Sequence, residues 1–148
     1  MEKQHALQQL EQLQKKLYAI HYACSAMNLD ADTVAPKNTS EGRGVALGVL
    51  AGEEQQLMIC PETRALLDEL DRQKDELDLL HRREVEELRR RCDQLTRIPA
   101  EEYIAYSELV NKAGDVWHKA KEKDDFAMFC PLLQELVCLL YTSDAADD

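Results

Sequence analysis

The sequence predicts an all-α fold of about six helices, set mostly as antiparallel hairpins. Three observations carry that prediction. Gly and Pro are scarce, at 5 and 4 of 148 residues, and Leu, Glu, Gln, Lys and Arg outnumber Val and Ile, a composition that favours helix. Apolar residues recur at spacings of three and four along most of the chain. Nowhere do apolar and polar residues alternate as in a half-buried strand. Hydrophobic content of 45% and charged content of 32% are those of a globular chain, and the length suits one domain.

The first helix is expected over about Glu2 to Met27. Leu7, Leu10, Leu13, Leu17, Ile20, Cys24 and Met27 form its single apolar stripe. "NLDADTVAPKNTSEGRG" follows, rich in Asn, Asp, Pro, Ser and Gly, and reads as a long turn-rich connection. A second helix covers roughly Glu41 to Met58. Gly42, Gly44, Gly48 and Gly52 fall on or near one side of it, where small residues let another helix approach closely. Pro61 suits the first position of a third helix, with Glu62 in its first turn and Leu66, Leu67 and Leu70 on its buried side. "DRQKDELD" is either a charged connection or more helix. The next helix carries Leu77, Leu80 or His81, Val85, Leu88, Cys92 and Leu95. Pro99 opens a fifth, with the stripe Tyr106, Leu109, Val110, Ala113, Val116, Trp117 and Ala120. "KEKDDFAMFCP" ends it, and Pro131 starts a last helix carrying Leu132, Leu133, Leu136 and Val137.

The charge balance excludes whole classes of function. A net charge of −11 argues against a phosphate-binding surface, so no nucleic-acid partner is expected. The one basic cluster, "HRREVEELRRRC", is interleaved with glutamates and predicts solvated pairs such as Glu86 with Arg90 and Glu87 with Arg91. No apolar run reaches the length of a membrane span, so no membrane partner is expected. "MEKQHALQQLEQ" lacks the apolar centre of a secretion signal, which makes the expected location cytoplasmic. Cys24, Cys60, Cys92, Cys130 and Cys138 are widely spaced without a C-x-x-C, as expected of reduced, half-buried thiols.

Residue chemistry offers no visible active site. His5, His21, His81 and His118 have no second donor at metal-site spacing. His81 with Glu84, and His118 with Glu122, read as surface pairs one turn apart. Asp30 and Asp32 fit caps and Asx turns better than a cation site. Asp124 and Asp125 read as helix-end charges. There is no G-x-S-x-G, Gly-rich phosphate loop or Cys–His couple.

The order of segments nevertheless resembles a known family. "LDADTVAPKNTSEGRG" is similar to the "WD-x-E-T-x-x-P-P-x…R" loop of carboxypeptidase Taq-type metallocarboxypeptidases, with Asp30, Thr33, Pro36 and Arg43 in place; Leu29 and Lys37 depart from it. "CPETRALLDEL" resembles that family's "DPELxxLLxEL". From "LRRRCDQLTRIPAEEYIAYSELV" through "FCPLLQELV", Pro99, Ser107, Ala113, Trp117, Ala120, Asp125, Phe126, Phe129, Pro131, Leu133 and Val137 fall in the family's register. The resemblance implies the N-terminal helical region, a cover over the substrate groove, of a larger α-helical enzyme that releases C-terminal amino acids from peptides. It implies zinc or another divalent metal, held in the parent by an H-E-x-x-H motif and a downstream Glu. The partners implied are peptides with a free C-terminus and, as for many relatives, a second copy of the parent. No residue here matches the metal or catalytic motifs, so the expected catalytic, cofactor-binding and metal residues of this chain are none, and the chain alone is expected to be inactive.

The end, "CLLYTSDAADD", back-translates in one frame into a transposase mosaic end and its sequencing adaptor. The expected organisation is therefore residues 1–137 as the truncated peptidase region and 138–148 as translated adaptor. The rival expectation is a small, complete helical module that binds partner helices. A standalone enzyme using Asp30, Asp32 or His81 ranks last.

Overall fold

A computed structural model describes residues 3–36 and 38–144. Six α-helices follow one another: α1 (Lys3–Thr33), α2 (Ser40–Ile59), α3 (Pro61–Arg72), α4 (Leu79–Arg97), α5 (Ala100–Glu122) and α6 (Phe126–Asp144), with a 3-10 turn at Lys74–Glu76. No strand occurs among the described residues, as the sequence predicts. No described helix is long and apolar enough to cross a membrane. The chain divides into two compact units. Unit 1 comprises Met1–Ala23 and Glu53–Arg97; unit 2 comprises Cys24–Gly52 and Ile98–Asp148. At 1.5 Å per residue, the 31 residues of α1 span about 46 Å, longer than the ~30 Å diameter of a small domain.

Unit 1 is built on leucine. Ala6, Leu10, Leu13 and Leu17 of α1 are buried, as are Met58 of α2, Leu66, Leu67 and Leu70 of α3, Leu77, and Val85, Cys92 and Leu95 of α4. Pro61 stands at the start of α3, where its missing N–H costs nothing. The ambiguous "DRQKDELD" segment resolves as a connection, because α3 stops at Arg72 and the chain takes the 3-10 turn before Leu77. Asp78 then caps α4: its carboxylate accepts the His81 backbone N–H at 3.0 Å and meets the His81 ring at 2.7 Å. Those contacts hold the Asp78 carboxyl below its ordinary range. Leu80, a candidate for the buried stripe, is 68% exposed, because the core-facing positions of α4 are set by Val85, Cys92 and Leu95.

In unit 2, α2 and α5 approach closely along the glycines. A methyl at Gly44 would lie 3.0 Å from the Asn111 amide, at Gly48 2.9 Å from the Glu108 carboxylate, and at Gly52 3.1 Å from Ile104. Gly42, the fourth predicted glycine, meets nothing within 4 Å. α5 and α6 form a hairpin around Leu109, Ala113 and Leu132, with Val116, Phe129, Leu136 and Leu139 packed against them. The turn between them is a Schellman motif: the Asp125 N–H bonds the Ala120 carbonyl at 2.8 Å and the Asp124 N–H that of Lys121 at 3.3 Å. Asp124 takes the left-handed conformation this requires, with φ 52.

Two boundaries and one buried stripe differ from the sequence expectation. α1 runs to Thr33, past Met27, because Asn28, Asp30 and Asp32 cost a helix little each and Pro36 is the first residue that forces an end. Its last turn closes with Val34 and Ala35 N–H groups on the Asp30 carbonyl. α6 begins at Phe126 rather than Pro131, because Asp125 accepts the Met128 N–H at 3.3 Å and caps it. Pro131 therefore sits inside the helix, where one backbone link is missing. Val110 and Trp117, expected on the buried stripe of α5, are 44% and 43% exposed. The departures expected at Lys37, the start at Glu2 and residues 145–148 lie outside the described residues.

The glycine contacts give a contrast to test. Gly114, inside α5, has nothing within 4 Å of its missing side chain, so Gly114→Ala is expected to stabilise by about 0.5–1 kcal/mol. Gly48→Leu drives a branched side chain into α5 and is expected to destabilise by about 1–3 kcal/mol. Urea midpoints followed by circular dichroism separate the two.

Candidate functional site

Two clusters of charged side chains are built into the units, and neither was singled out as a site from the sequence. In unit 2, Arg43 of α2 points along α5. Its Nε donates to Asn111 Oδ1 at 2.8 Å and its terminal nitrogen to Asp115 Oδ1 at 2.9 Å. Asn111 and Asp115 lie one turn apart on α5, so one planar guanidinium reaches both. The Asn111 amide donates onward to the Ser40 carbonyl at 3.0 Å, which ties the start of α2 to the same point. The Arg43 side chain is 9% exposed and that of Asp115 30%. This is a largely desolvated ion pair reinforced by the bond to Asn111, so its work is to fix α2 against α5.

In unit 1, Glu54 of α2 is buried, with 8% of its side chain exposed. Its Oε1 accepts from His21 Nε2 of α1 at 2.9 Å and also pairs with Arg91 of α4. Next to it, buried Gln55 donates to the Leu95 carbonyl at 3.1 Å. One carboxylate oxygen thus joins three helical segments. Both donors converge on that same oxygen, and little of the side chain meets solvent. The cluster presents no open carboxylate to a substrate.

The candidates read from the sequence fall elsewhere. Asp30 and Asp32 lie on α1, not in a loop, and Asp32 meets the half-exposed His118 at 3.4 Å. His118 therefore pairs across to α1 rather than with Glu122 on its own helix. His81 pairs with Asp78 at 2.7 Å rather than with Glu84. Asp124 and Asp125 serve the turn and cap described above, as helix-end charges. Along α4, Arg90 turns to Glu87 and Arg83 to Glu86, both three residues apart. Arg91 leaves the helix surface for Glu54, so the expected Glu86–Arg90 and Glu87–Arg91 pairs are replaced. An open groove of unit 1 has an apolar floor of Leu13, Leu57 and Leu66. Its one thiol, Cys60, is engaged by the Leu57 carbonyl and Thr63, both at 3.3 Å.

Zinc requires three or four His, Cys, Asp or Glu donors around one point. Among the described residues no group of three such side chains converges.

What this arrangement belongs to follows from its likeness to known proteins. Residues 9–146 match the family described as carboxypeptidase Taq (M32) metallopeptidase. Carboxypeptidase 1 of Bacillus subtilis (strain 168) is 34% identical over 119 residues, which are 79% of this chain and 24% of that protein. Thermostable carboxypeptidase 1 of Pyrococcus furiosus is 30% identical over 125 residues, 84% of this chain and 25% of that one. A solved structure described as the BsuCP crystal structure superposes with a TM-score of 0.91 at 28% identity, covering 96% of this chain and 29% of that one. The chain thus spans about a quarter of the length of the curated relatives it matches. With residues 9–146 matched and the helical order reproduced, this chain belongs to the carboxypeptidase Taq (M32) metallopeptidase family.

Proposed function

We infer that the chain serves as the N-terminal helical region of a cytoplasmic, metal-dependent carboxypeptidase, where it covers the groove that admits a peptide's free C-terminus. In that reading, zinc or another divalent metal is held by the part of a family-length enzyme that this chain does not span. The chain alone is then a folding and covering element without catalysis. The observation that carries the reading is the pairing of two facts. The family match fills residues 9–146 of this chain, and the match to its Bacillus relative fills 79% of this chain but 24% of that protein. The Arg43 and Glu54 clusters support it further, since both spend their charges on holding helices together.

A chimera tests this function. The matching segment of Bacillus subtilis carboxypeptidase 1 is replaced by residues 3–137 of this chain, and release of the last residue from a short peptide is followed. Chelator-sensitive release within about tenfold of the parent is expected. A chimera that folds, binds metal and still releases nothing would contradict a covering role.

A further inference from the structure

Where α3 meets α4, charged residues repeat at one-turn spacing. On α3, Arg64 and Asp68 stand four residues apart; on α4, Arg89, Asp93 and Arg97 follow at the same interval. With Thr96 they line a cleft of about 390 Å³ within unit 1, at the lower end of the about 300–1,000 Å³ of small-molecule sites. Buried Leu67 and Cys92 complete its wall. Two links cross it: an Arg64 terminal nitrogen donates to Thr96 Oγ1 at 2.7 Å, and Arg89 pairs with Asp68. Opposite charges are then left over. Arg64 meets only that neutral hydroxyl, which occupies part of its donor fork, and no carboxylate pairs with it among the described residues. Asp93, set between Arg89 and Arg97, has no side-chain partner among the described residues. The Arg89 Nε is buried without an acceptor, a costly state for a charged donor.

We propose that this cleft binds a free α-amino acid, with Arg64 taking the carboxylate and Asp93 the ammonium. A cleft that holds both an unpaired guanidinium and an unpaired carboxylate suits a ligand carrying both charges. The guanidinium fork matches a carboxylate in two parallel hydrogen bonds. A simple anion such as phosphate would meet the like charges of Asp68 and Asp93 on the same wall, which disfavours it. A zwitterion gives each leftover group its opposite and adds no net charge. The Arg89 Nε is a further donor for the ligand's carboxylate. Arg64 and Asp93 are both exposed, so water competes and the expected affinity is millimolar. The proposal goes beyond the covering role and is read without turnover, so each can fail without the other.

The test titrates the isotope-labelled 148-residue chain with leucine, leucinamide and N-acetylleucine and follows backbone amide signals by NMR. Leucine is expected to shift the Asp93 and Thr96 signals saturably. Leucinamide lacks the carboxylate and N-acetylleucine the ammonium, so each is expected to bind at least about tenfold more weakly. Arg64→Gln and Asp93→Asn are each expected to weaken leucine by a similar factor, with circular dichroism unchanged. If Arg64→Gln disturbs the fold through its lost link to Thr96, Asp93→Asn, which breaks no such link, gives the same reading. Arg90→Gln is the control. It removes the same charge from an exposed position of α4, where Arg90 pairs with Glu87, and leaves leucine binding unchanged. Absence of a saturable shift with leucine would overturn the proposal. N-acetylleucine binding as tightly as leucine would overturn it in favour of a plain carboxylate site. Equal weakening by Arg90→Gln and Arg64→Gln would overturn it in favour of general electrostatic attraction.

Discussion

Leu70→Ala is expected to cost unit 1 about 2–5 kcal/mol. Leu70 is fully buried at 0% exposure, beside Leu67 and Leu10 at 1% and Met58 at 0%. Truncation removes the transfer energy of the lost carbons and leaves a cavity, because α3 is pinned by Leu66 and Leu67 and cannot collapse inward freely. Net stability of a domain is only about 5–15 kcal/mol, so the variant should unfold at far lower urea. Leu80→Ala is the control. It is the same chemical change at a side chain 68% exposed, and it is expected to stay within about 0.5 kcal/mol of wild type. Equal costs at the two positions would show that the core of unit 1 is not where the burial pattern places it.

The second large effect is at Asp115. Asp115→Ala leaves the Arg43 guanidinium, 9% exposed, without its anion, and is expected to cost about 2–4 kcal/mol. Removing both charges together, as Arg43→Met/Asp115→Leu, is expected to recover most of that loss, since apolar isosteres often replace a desolvated pair without penalty. Arg43→Lys keeps the charge but not the planar fork, so it cannot serve Asn111 and Asp115 at once and is expected to fall between. A complete double-mutant cycle in urea reads the coupling. A near-zero coupling would mean that the two side chains are held by packing alone.

Much of this was legible in the sequence because helices announce themselves by period. The leucines at 10, 13, 17, 66, 67 and 70 were placed in the core by spacing, and all are buried. Three of the four predicted glycines mark the α2–α5 approach. The errors have physical causes. A run of Asn and Asp reads as a turn, yet each costs a helix only a fraction of a kcal/mol, and the helix persists until proline stops it. Pro131 reads as a helix start because that is its preferred place; the Asp125 cap six residues earlier overrides it. The clamps were hidden for another reason. Arg43 and Asp115 are 72 residues apart, and Glu54 meets His21 from 33 residues away, separations that periodicity does not report. Trp117, Leu133 and Val137 are apolar at helical spacing, which predicts burial. In this chain they stand 43%, 37% and 41% exposed: spacing tells that a face is apolar but not how much of it the rest of the chain covers.

Release of the C-terminal residue from a short peptide by the purified 148-residue chain, with zinc added and then chelated, decides whether these helices carry chemistry of their own. The account predicts no release above background in either condition while circular dichroism reports a folded helical chain. Release that depends on zinc and stops with the chelator would contradict it.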